Sequence, residues 1–94
     1  MVIDEPGKLR YTQVQLDDPG SNEVEVQIAA AGVCGSDLHV YRGEWDVRFP
    51  MVLGHEGSGY VSRVGEGVAH LNVGDHVVLS WNPPCRTCRN CRMG

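Results

Sequence analysis

Apolar residues recur at alternate positions in several short stretches of the chain, and this spacing predicts strands. The clearest stretch is 24–33, "VEVQIAAAGV", in which Val24, Val26 and Ile28 alternate with polar or small residues. Alternation of this kind places every second side chain on one face of a strand. Stretches 9–16, 59–65 and 76–81 are rich in β-branched and aromatic residues and predict further strands. The turn-forming stretch 17–23, "DDPGSNE", predicts a loop.

The stretch after the clearest strand has a different pattern. Residues 34–43, "CGSDLHVYRG", predict a short helix that is capped by Ser36 or Asp37 and ended by Gly43. Residues 44–53 contain Pro50 and show no regular period, which predicts a loop leading into a short extended segment. Short strands separated by turns, with no strand–helix–strand unit around a G-x-G-x-x-G motif, indicate a mainly β barrel or sandwich. They also indicate that the chain has no dinucleotide-binding half of its own.

Length and charge narrow the possible functions. The 94 residues predict one small domain over residues 1–94. A net charge of −4 and the lack of a basic stripe disfavour a nucleic-acid partner. No apolar run approaches the roughly 20 residues of a membrane helix, so we expect no membrane partner. The start, "MVIDEPGKLR", does not resemble a secretory signal, and we expect a cytoplasmic location. Cysteines in that compartment are more often metal ligands or catalysts than disulfides.

Two separated segments carry residues suited to a catalytic zinc site. Cys34 stands at the end of a predicted strand, and His55 stands in "GHEGSG", residues 54–59. Catalytic zinc commonly takes three protein ligands and leaves one position open, and these two residues could supply two of the three. Asp37 and Glu56 are carboxylates that could orient a ligand or adjust the charge beside the metal. A lone cysteine is often simply a buried apolar residue, and "SDLH" can be an ordinary helix cap. Together they favour the metal site.

Ser36 and His39 suit proton transfer beside such a metal. A serine hydroxyl near the open position can accept a proton from an alcohol and pass it on. A histidine can carry that proton to solvent, because it exchanges protons near neutral pH. We therefore predict Ser36 and His39 as the catalytic pair.

A second cluster of cysteines follows later in the sequence. Cys85, Cys88 and Cys91 form C-x-x-C-x-x-C, and cysteines at this spacing can converge on one ion. Structural zinc takes four protein ligands, whereas His76 lies on a predicted strand and Asn90 is a poor ligand, so no nearby fourth ligand is evident. An iron–sulfur cluster begins with the same cysteine spacing. That cluster and a reactive or disulfide-forming group remain alternatives, although metal binding is favoured over the latter.

These motifs resemble the N-terminal part of the zinc-dependent medium-chain dehydrogenases, the family of the alcohol dehydrogenases. The segment "AAAGVCGSDLHVYRG" looks like the family's catalytic-zinc segment, and "GHEGSGYVSRVGEGV" fits its G-H-E-x-x-G-x₅-G-x-x-V signature. The segment "VGDHVV" is similar to the turn and strand that follow. "CRTCRNC" resembles the first three ligands of the family's structural-zinc lobe. The resemblance is specific from about Val24 onward and loose before that residue.

The resemblance implies a fold, a reaction and a set of roles. The fold is the GroES-like partly open barrel of a catalytic domain, mainly β with short helices and a zinc-lobe segment. The reaction is reversible oxidation of a small-molecule alcohol to an aldehyde or ketone with NAD or NADP, in an enzyme that we expect to be a homo-oligomer. Trp45, Tyr41 and Phe49 suggest an apolar pocket wall. By residue, the resemblance assigns the catalytic zinc to Cys34 and His55 with the carboxylates Glu56 and Asp37 beside it, the proton relay to Ser36 and His39, and the structural zinc to Cys85, Cys88 and Cys91.

The chain departs from the family pattern at several points. The fourth structural cysteine, the third catalytic ligand and the Rossmann domain that binds NAD or NADP would all lie after Gly94. We therefore expect a truncated catalytic domain of a two-domain dehydrogenase of roughly 350 residues, inactive and weak in zinc binding by itself. Gly35 stands where some relatives have a basic residue that contacts the cofactor, and Arg86 stands where glycine is common in the lobe. The alternative is a stand-alone GroES-like module that binds a metal or a partner and catalyses nothing.

Overall fold

Two antiparallel sheets and two short helices form the fold in the computed structural model, which describes residues 1–85 and 87–93. The strand orders are β2-β1-β4 in one sheet and β3-β5-β6 in the other. Mainly β architecture with short helices is therefore confirmed. The elements in chain order are β1 (Val2–Glu5), β2 (Lys8–Arg10), β3 (Val24–Ala31), α1 (Gly35–Tyr41), β4 (Met51–Val52), β5 (Gly57–Val64), β6 (His76–Val78) and α2 (Arg89–Met93).

The pairing of β3 with β5 is the longest contact between strands in the described residues. Its register runs from Val24 opposite Val64 to Ala31 opposite Gly57. Two irregularities interrupt it, and such bulges increase local twist. Gly59 allows the strands to approach closely, because a Cβ atom at that position would overlap the backbone carbonyl of Gln27.

The fully packed interior is small. Val2, Ile3, Val40 and Val61 are the buried apolar residues among those described, and Ile3 and Val61 have almost no exposed surface. Val2 and Ile3 lie on β1, Val40 on α1 and Val61 on β5. The buried residues therefore come from both sheets and from the helix that carries part of the candidate site.

Helix α1 begins and ends through identifiable backbone features. Cys34 is its N-cap residue, with φ −92° and ψ 157°. The carboxylate of Asp37 accepts a hydrogen bond from the Cys34 backbone N–H at 3.0 Å, as the third helical residue does in a capping box. Gly43 follows the C-terminus with φ +72°, a conformation that glycine adopts without strain. The predicted end is confirmed, whereas the cap lies at Cys34 instead of Ser36 or Asp37.

The strand predictions differ in outcome. Stretches 24–33 and 59–65 correspond to β3 and β5, and 76–81 is a strand only as far as Val78. The strand predicted over 9–16 is wrong beyond Arg10, since residues 11–20 pair with no described strand and Tyr11 is almost fully exposed. The residue types in this stretch are typical of a strand, but a strand also needs a partner for its backbone N–H and C=O groups. Helix α2 was not predicted.

Within the residues described, no helix combines the length and the apolar character needed to cross a membrane.

Candidate metal and catalytic site

The first candidate site forms where the N-terminus of α1 meets the segment that precedes β5. Gly54 has φ +109°, a left-handed conformation that strongly favours glycine, and it turns the chain just before His55. The backbone N–H of Gly32 donates a hydrogen bond to the carbonyl of Glu56 at 2.7 Å. This bond fixes Glu56 beside Gly32, which follows the end of β3 and precedes Cys34 by two residues.

Cys34, His55 and Glu56 come together at this junction. One ligand atom from each side chain lies within 4.8 Å of the other two. Cys34 and His55 are partly buried, whereas Glu56 is exposed. A thiol, an imidazole and a carboxylate are the side-chain types that bind zinc in proteins, so the group fits that ion. The sequence predicted that Cys34 and His55 would share a metal ion, and it assigned Glu56 to a position beside that ion.

The surroundings of Cys34 favour its thiolate. Hydrogen bonds from the side chain and the backbone N–H of Ser36, and then one from His55, lower the pKa of the Cys34 thiol. Partial burial and the negative charge of Glu56 act in the opposite direction. The net lowering suits a metal ligand, because zinc binds the thiolate form of cysteine.

Ser36 and Asp37 contact His55 from the first turn of α1. The Ser36 hydroxyl oxygen lies 3.4 Å from Nε2 of His55, and Oδ1 of Asp37 lies 3.7 Å from Nδ1 of the same ring. The other Asp37 oxygen accepts the hydrogen bond from the Cys34 N–H. Asp37 therefore links the start of the helix to the imidazole, the position that the sequence assigned to a supporting carboxylate.

A cavity of about 370 Å³ opens beside these residues. Trp45 lines it, as predicted, but Tyr41 and Phe49 are not among its lining residues. Trp81 also lines it and lies 6.0 Å from His55 between ring centroids, a contact that the sequence analysis missed. The lining residues are Cys34, Ser36, Asp37, Val40, Trp45, Val47, Met51, Val52, Leu53, Gly54, His55 and Trp81.

His39 occupies a different position from Ser36 on the same helix. It does not line the cavity, and its Nδ1 contacts the carboxylate of Glu44. Its ring stacks on Trp45 with a centroid separation of 5.3 Å and an interplanar angle of 14°. The sequence analysis gave no role to Glu44, and its place five residues after His39 is the only signal that could have drawn attention to it.

Cys85, Cys88 and Cys91 form the second candidate site. One sulfur from each lies within 4.8 Å of the others, and the sulfurs of Cys85 and Cys91 are 3.7 Å apart. Two thiolates on a tetrahedral zinc ion, each about 2.3 Å from it, stand about 3.8 Å apart. All these cysteines are free thiols. The three sulfurs are therefore placed as three of the four ligands of a structural zinc. Arg86, which stands where glycine is common in the lobe, lies outside the described residues.

The thiol of Cys85 is already acidic without a metal. Hydrogen bonds from the Thr87 hydroxyl, then from backbone N–H groups of Cys88 and Thr87, lower the pKa of Cys85 to about 6. The Cys88 N–H lies 3.3 Å from the Cys85 sulfur, and the Cys91 N–H lies 3.5 Å from the Cys88 sulfur. Backbone N–H groups directed at sulfur stabilise thiolates, which are the form that a metal binds.

Comparison with known proteins identifies the class to which this arrangement belongs. Residues 20–94 match the family model described as the alcohol dehydrogenase GroES-like domain. The chain belongs to this family, which confirms the resemblance and the GroES-like fold.

Individual relatives share most of this chain but are much longer. An NDMA-dependent alcohol dehydrogenase of Amycolatopsis methanolica is 45% identical over 94 residues, which cover 99% of this chain and 25% of the relative. A zinc-dependent alcohol dehydrogenase of Streptococcus pneumonia superposes with a TM-score of 0.87 at 32% identity, covering 98% of this chain and 27% of that one. An alcohol dehydrogenase of E. coli CFT073, solved with NADH, gives 0.82 at 37% identity, with 98% and 27% covered. The chain thus spans about a quarter of the length of the relatives it matches.

Proposed function

We propose that the chain forms the N-terminal part of the catalytic domain of a zinc-dependent alcohol dehydrogenase. The enzyme would convert a small-molecule alcohol reversibly to an aldehyde or ketone with NAD or NADP. The convergence of Cys34, His55 and Glu56 beside a cavity, with Ser36 alongside, is the observation that carries this proposal. Family membership and the NADH-containing E. coli relative support it.

Two groups of residues would each hold one zinc ion. Cys34, His55 and Glu56 would bind the catalytic zinc, and the group of Cys85, Cys88 and Cys91 would bind the structural zinc. When bound, the catalytic zinc supplies a Lewis acid that polarises an alcohol oxygen, and NAD or NADP supplies the acceptor for the hydride. The third catalytic ligand predicted after Gly94 stays a prediction. Glu56 offers a third ligand within this chain.

The chain's own side chains would handle the proton and orient the site. Ser36 would accept the proton of the alcohol hydroxyl while passing its own proton on, and His39 would deliver a proton to solvent. Asp37 would hold the imidazole of His55, to which it lies 3.7 Å away. The apolar cavity wall, including Trp45 and Trp81, would bind the carbon skeleton of the alcohol and exclude water.

The setting of the whole enzyme follows the same proposal. Free thiols at all four cysteines suit a reducing cytoplasm, which is where we place the protein. The complete enzyme would be a homo-oligomer, and a cofactor domain absent from these 94 residues would bind NAD or NADP.

A metal titration tests the catalytic-zinc assignment. The metal-free chain carrying Cys85→Ser and Cys88→Ser isolates the first site, and Co²⁺ is the probe because its thiolate ligands produce a charge-transfer absorption. We expect that band to appear and to vanish when Cys34→Ser or His55→Ala is added. His70→Ala is the matched control, since His70 is exposed and belongs to neither group.

Two results would count against the proposal. A cobalt band that is unchanged in Cys34→Ser would place the metal elsewhere. Metal binding without alcohol oxidation, in the chain joined to a cofactor domain, would favour the alternative of a non-catalytic metal-binding module. The 94 residues by themselves are expected to oxidise no alcohol, because the described residues form no dinucleotide-binding fold.

A further inference from the structure

His39 is held on two sides by the loop that follows α1. The carboxylate of Glu44 contacts its Nδ1, and the indole of Trp45 stacks on the ring at 5.3 Å. The Glu44 backbone N–H also donates to the His39 carbonyl at 2.9 Å, which fixes the loop against the end of the helix. The position of Glu44 is thus set by backbone as well as side-chain contacts.

The chemistry of this contact determines which ring nitrogen carries hydrogen. An ionised carboxylate can only accept hydrogen bonds, so the nitrogen that faces it must be a donor. In a neutral imidazole the other nitrogen is then the acceptor. Contact of Glu44 with Nδ1 therefore leaves the lone pair of His39 on Nε2, the atom that is free to take up a proton.

Arg42 is a further charged residue near the His39–Glu44 pair. Arg42 Nη1 lies 3.9 Å from the second carboxylate oxygen of Glu44, so the guanidinium contacts the oxygen that does not face His39. About half of each side chain in the His39–Glu44 pair is exposed, so the ring of His39 is accessible to water. Trp45 also lines the cavity beside Cys34, which ties the plane of the ring to the wall of the site.

We propose that Glu44 is a positioning residue: it fixes the Nδ1–H tautomer of His39 and so leaves Nε2 as the ring nitrogen that accepts a proton. This inference rests on the proposed role of His39 in proton transfer. It adds a residue to which the sequence motifs gave no role.

Nitrogen-15 spectra of the histidine rings, recorded on the 94-residue chain above neutral pH, test the proposal. They distinguish a ring nitrogen that carries hydrogen from one that does not. We expect Nδ1–H at His39 in the unmodified chain. Glu44→Ala should shift the ratio of tautomers at least about fivefold towards Nε2–H, the effect of losing one hydrogen bond. Glu44→Gln should keep the Nδ1–H form, because its amide oxygen still accepts.

Asp46→Ala provides the control, since Asp46 is an exposed acid two residues along and has no ion pair within the described part of the chain. An Nε2–H form at His39 in the unmodified chain would overturn the proposal whether or not any variant folds. An equal shift in Asp46→Ala and Glu44→Ala would overturn it too. If the tautomer test fails while cobalt still binds at Cys34, only the role of Glu44 is refuted. The expected tautomer without cobalt binding refutes the catalytic-zinc assignment instead.

Discussion

Cys34 combines a local and a long-range role. It is the N-cap of α1, and its thiol contacts Ser36 on the helix and His55 from a segment some twenty residues later. The sequence could predict the pairing of Cys34 with His55, because both residues belong to recognisable motifs. It could not predict the Trp81 contact or the Glu44 contact, since neither residue lies in a motif and each meets its histidine only through the path of a loop.

The acidity of Cys85 leads to a prediction about reactivity. Its pKa of about 6 means that most of the thiol is ionised at neutral pH, whereas an ordinary cysteine, with a pKa of about 8.5, is mostly protonated there. In the metal-free chain, iodoacetamide should therefore modify Cys85 readily at pH 6–7, and faster than Cys34, whose thiol is only partly exposed. Mass spectrometry of the proteolysed chain measures both rates.

The cause of the Cys85 shift is tested by a substitution. Thr87→Val removes the hydroxyl hydrogen bond, so the pKa of Cys85 should rise and its modification at that pH should slow several-fold. Thr12→Val is the control, at a threonine whose hydroxyl donates to the neighbouring Gln13 carbonyl and bonds to no cysteine in the described part of the chain. Equal rates for Thr87→Val and the unmodified chain would show that backbone N–H groups alone account for the acidity.

Strands β3 and β5 were predicted from the alternation of their apolar residues. In the described structure the two strands pair with each other. Residues 11–16 show a similar pattern, yet they form no strand, since their backbone pairs with no strand in the described part of the chain. Alternation predicts which face of a strand would be buried, but the presence of a neighbouring strand is a property of the fold. The cysteine spacing similarly predicted a metal group and gave no sign of α2, the short helix that carries Cys91.

The close approach of β3 and β5 predicts a cost at Gly59. Gly59→Ala would place a methyl group against the Gln27 backbone, and overpacking of this kind typically costs about 1–3 kcal/mol. The urea midpoint of the chain should fall accordingly. Gly35→Ala serves as the control, because a Cβ there meets nothing within 4 Å and alanine favours a helix. Similar midpoints for the two variants would mean that the strands separate easily at Gly59.

The ion pair between the same strands predicts a dependence of stability on pH. Glu25 stands opposite Arg63 in the register, and hydrogen bonds from Arg63 and then Ser62 lower the pKa of Glu25. A carboxylate whose pKa is lower in the folded state stabilises the fold above its unfolded pKa, near 4.3. That contribution disappears as pH falls through the lower, folded pKa.

Glu25→Gln should therefore reduce stability at neutral pH and flatten the loss of stability below about pH 4.3. Urea denaturation at several pH values measures both effects. Glu66→Gln is the control at an exposed acid that forms no ion pair within the described residues, provided that its backbone bond from Asn22 is retained. Parallel pH profiles for Glu25→Gln and the unmodified chain would remove Glu25 from the acid transition.

At the scale of the whole molecule, little apolar surface is packed. The radius of gyration is 15.5 Å, compared with about 13 Å for a compact domain of 100 residues. The buried apolar core of the described residues consists of four side chains, whereas Trp81 and Val33 are about 80–90% exposed. A core of this size leaves a small margin of stability, so ligands of the folded state should have a large relative effect.

Metal binding should therefore control the stability of this chain. A ligand that binds only the folded state adds about 2.7 kcal/mol at a hundred times its dissociation constant, although any zinc bound by unfolded cysteines reduces that gain. Zinc should raise the thermal midpoint, a chelator should lower it, and magnesium should have no effect, because thiolate sites disfavour hard cations. Replacing Cys34 should remove one part of the zinc effect and replacing Cys88 another, since the two ligand groups lie on separate segments. A thermal midpoint that is identical with zinc and with chelator would mean that neither ligand group binds zinc more tightly in the folded chain than in the unfolded chain.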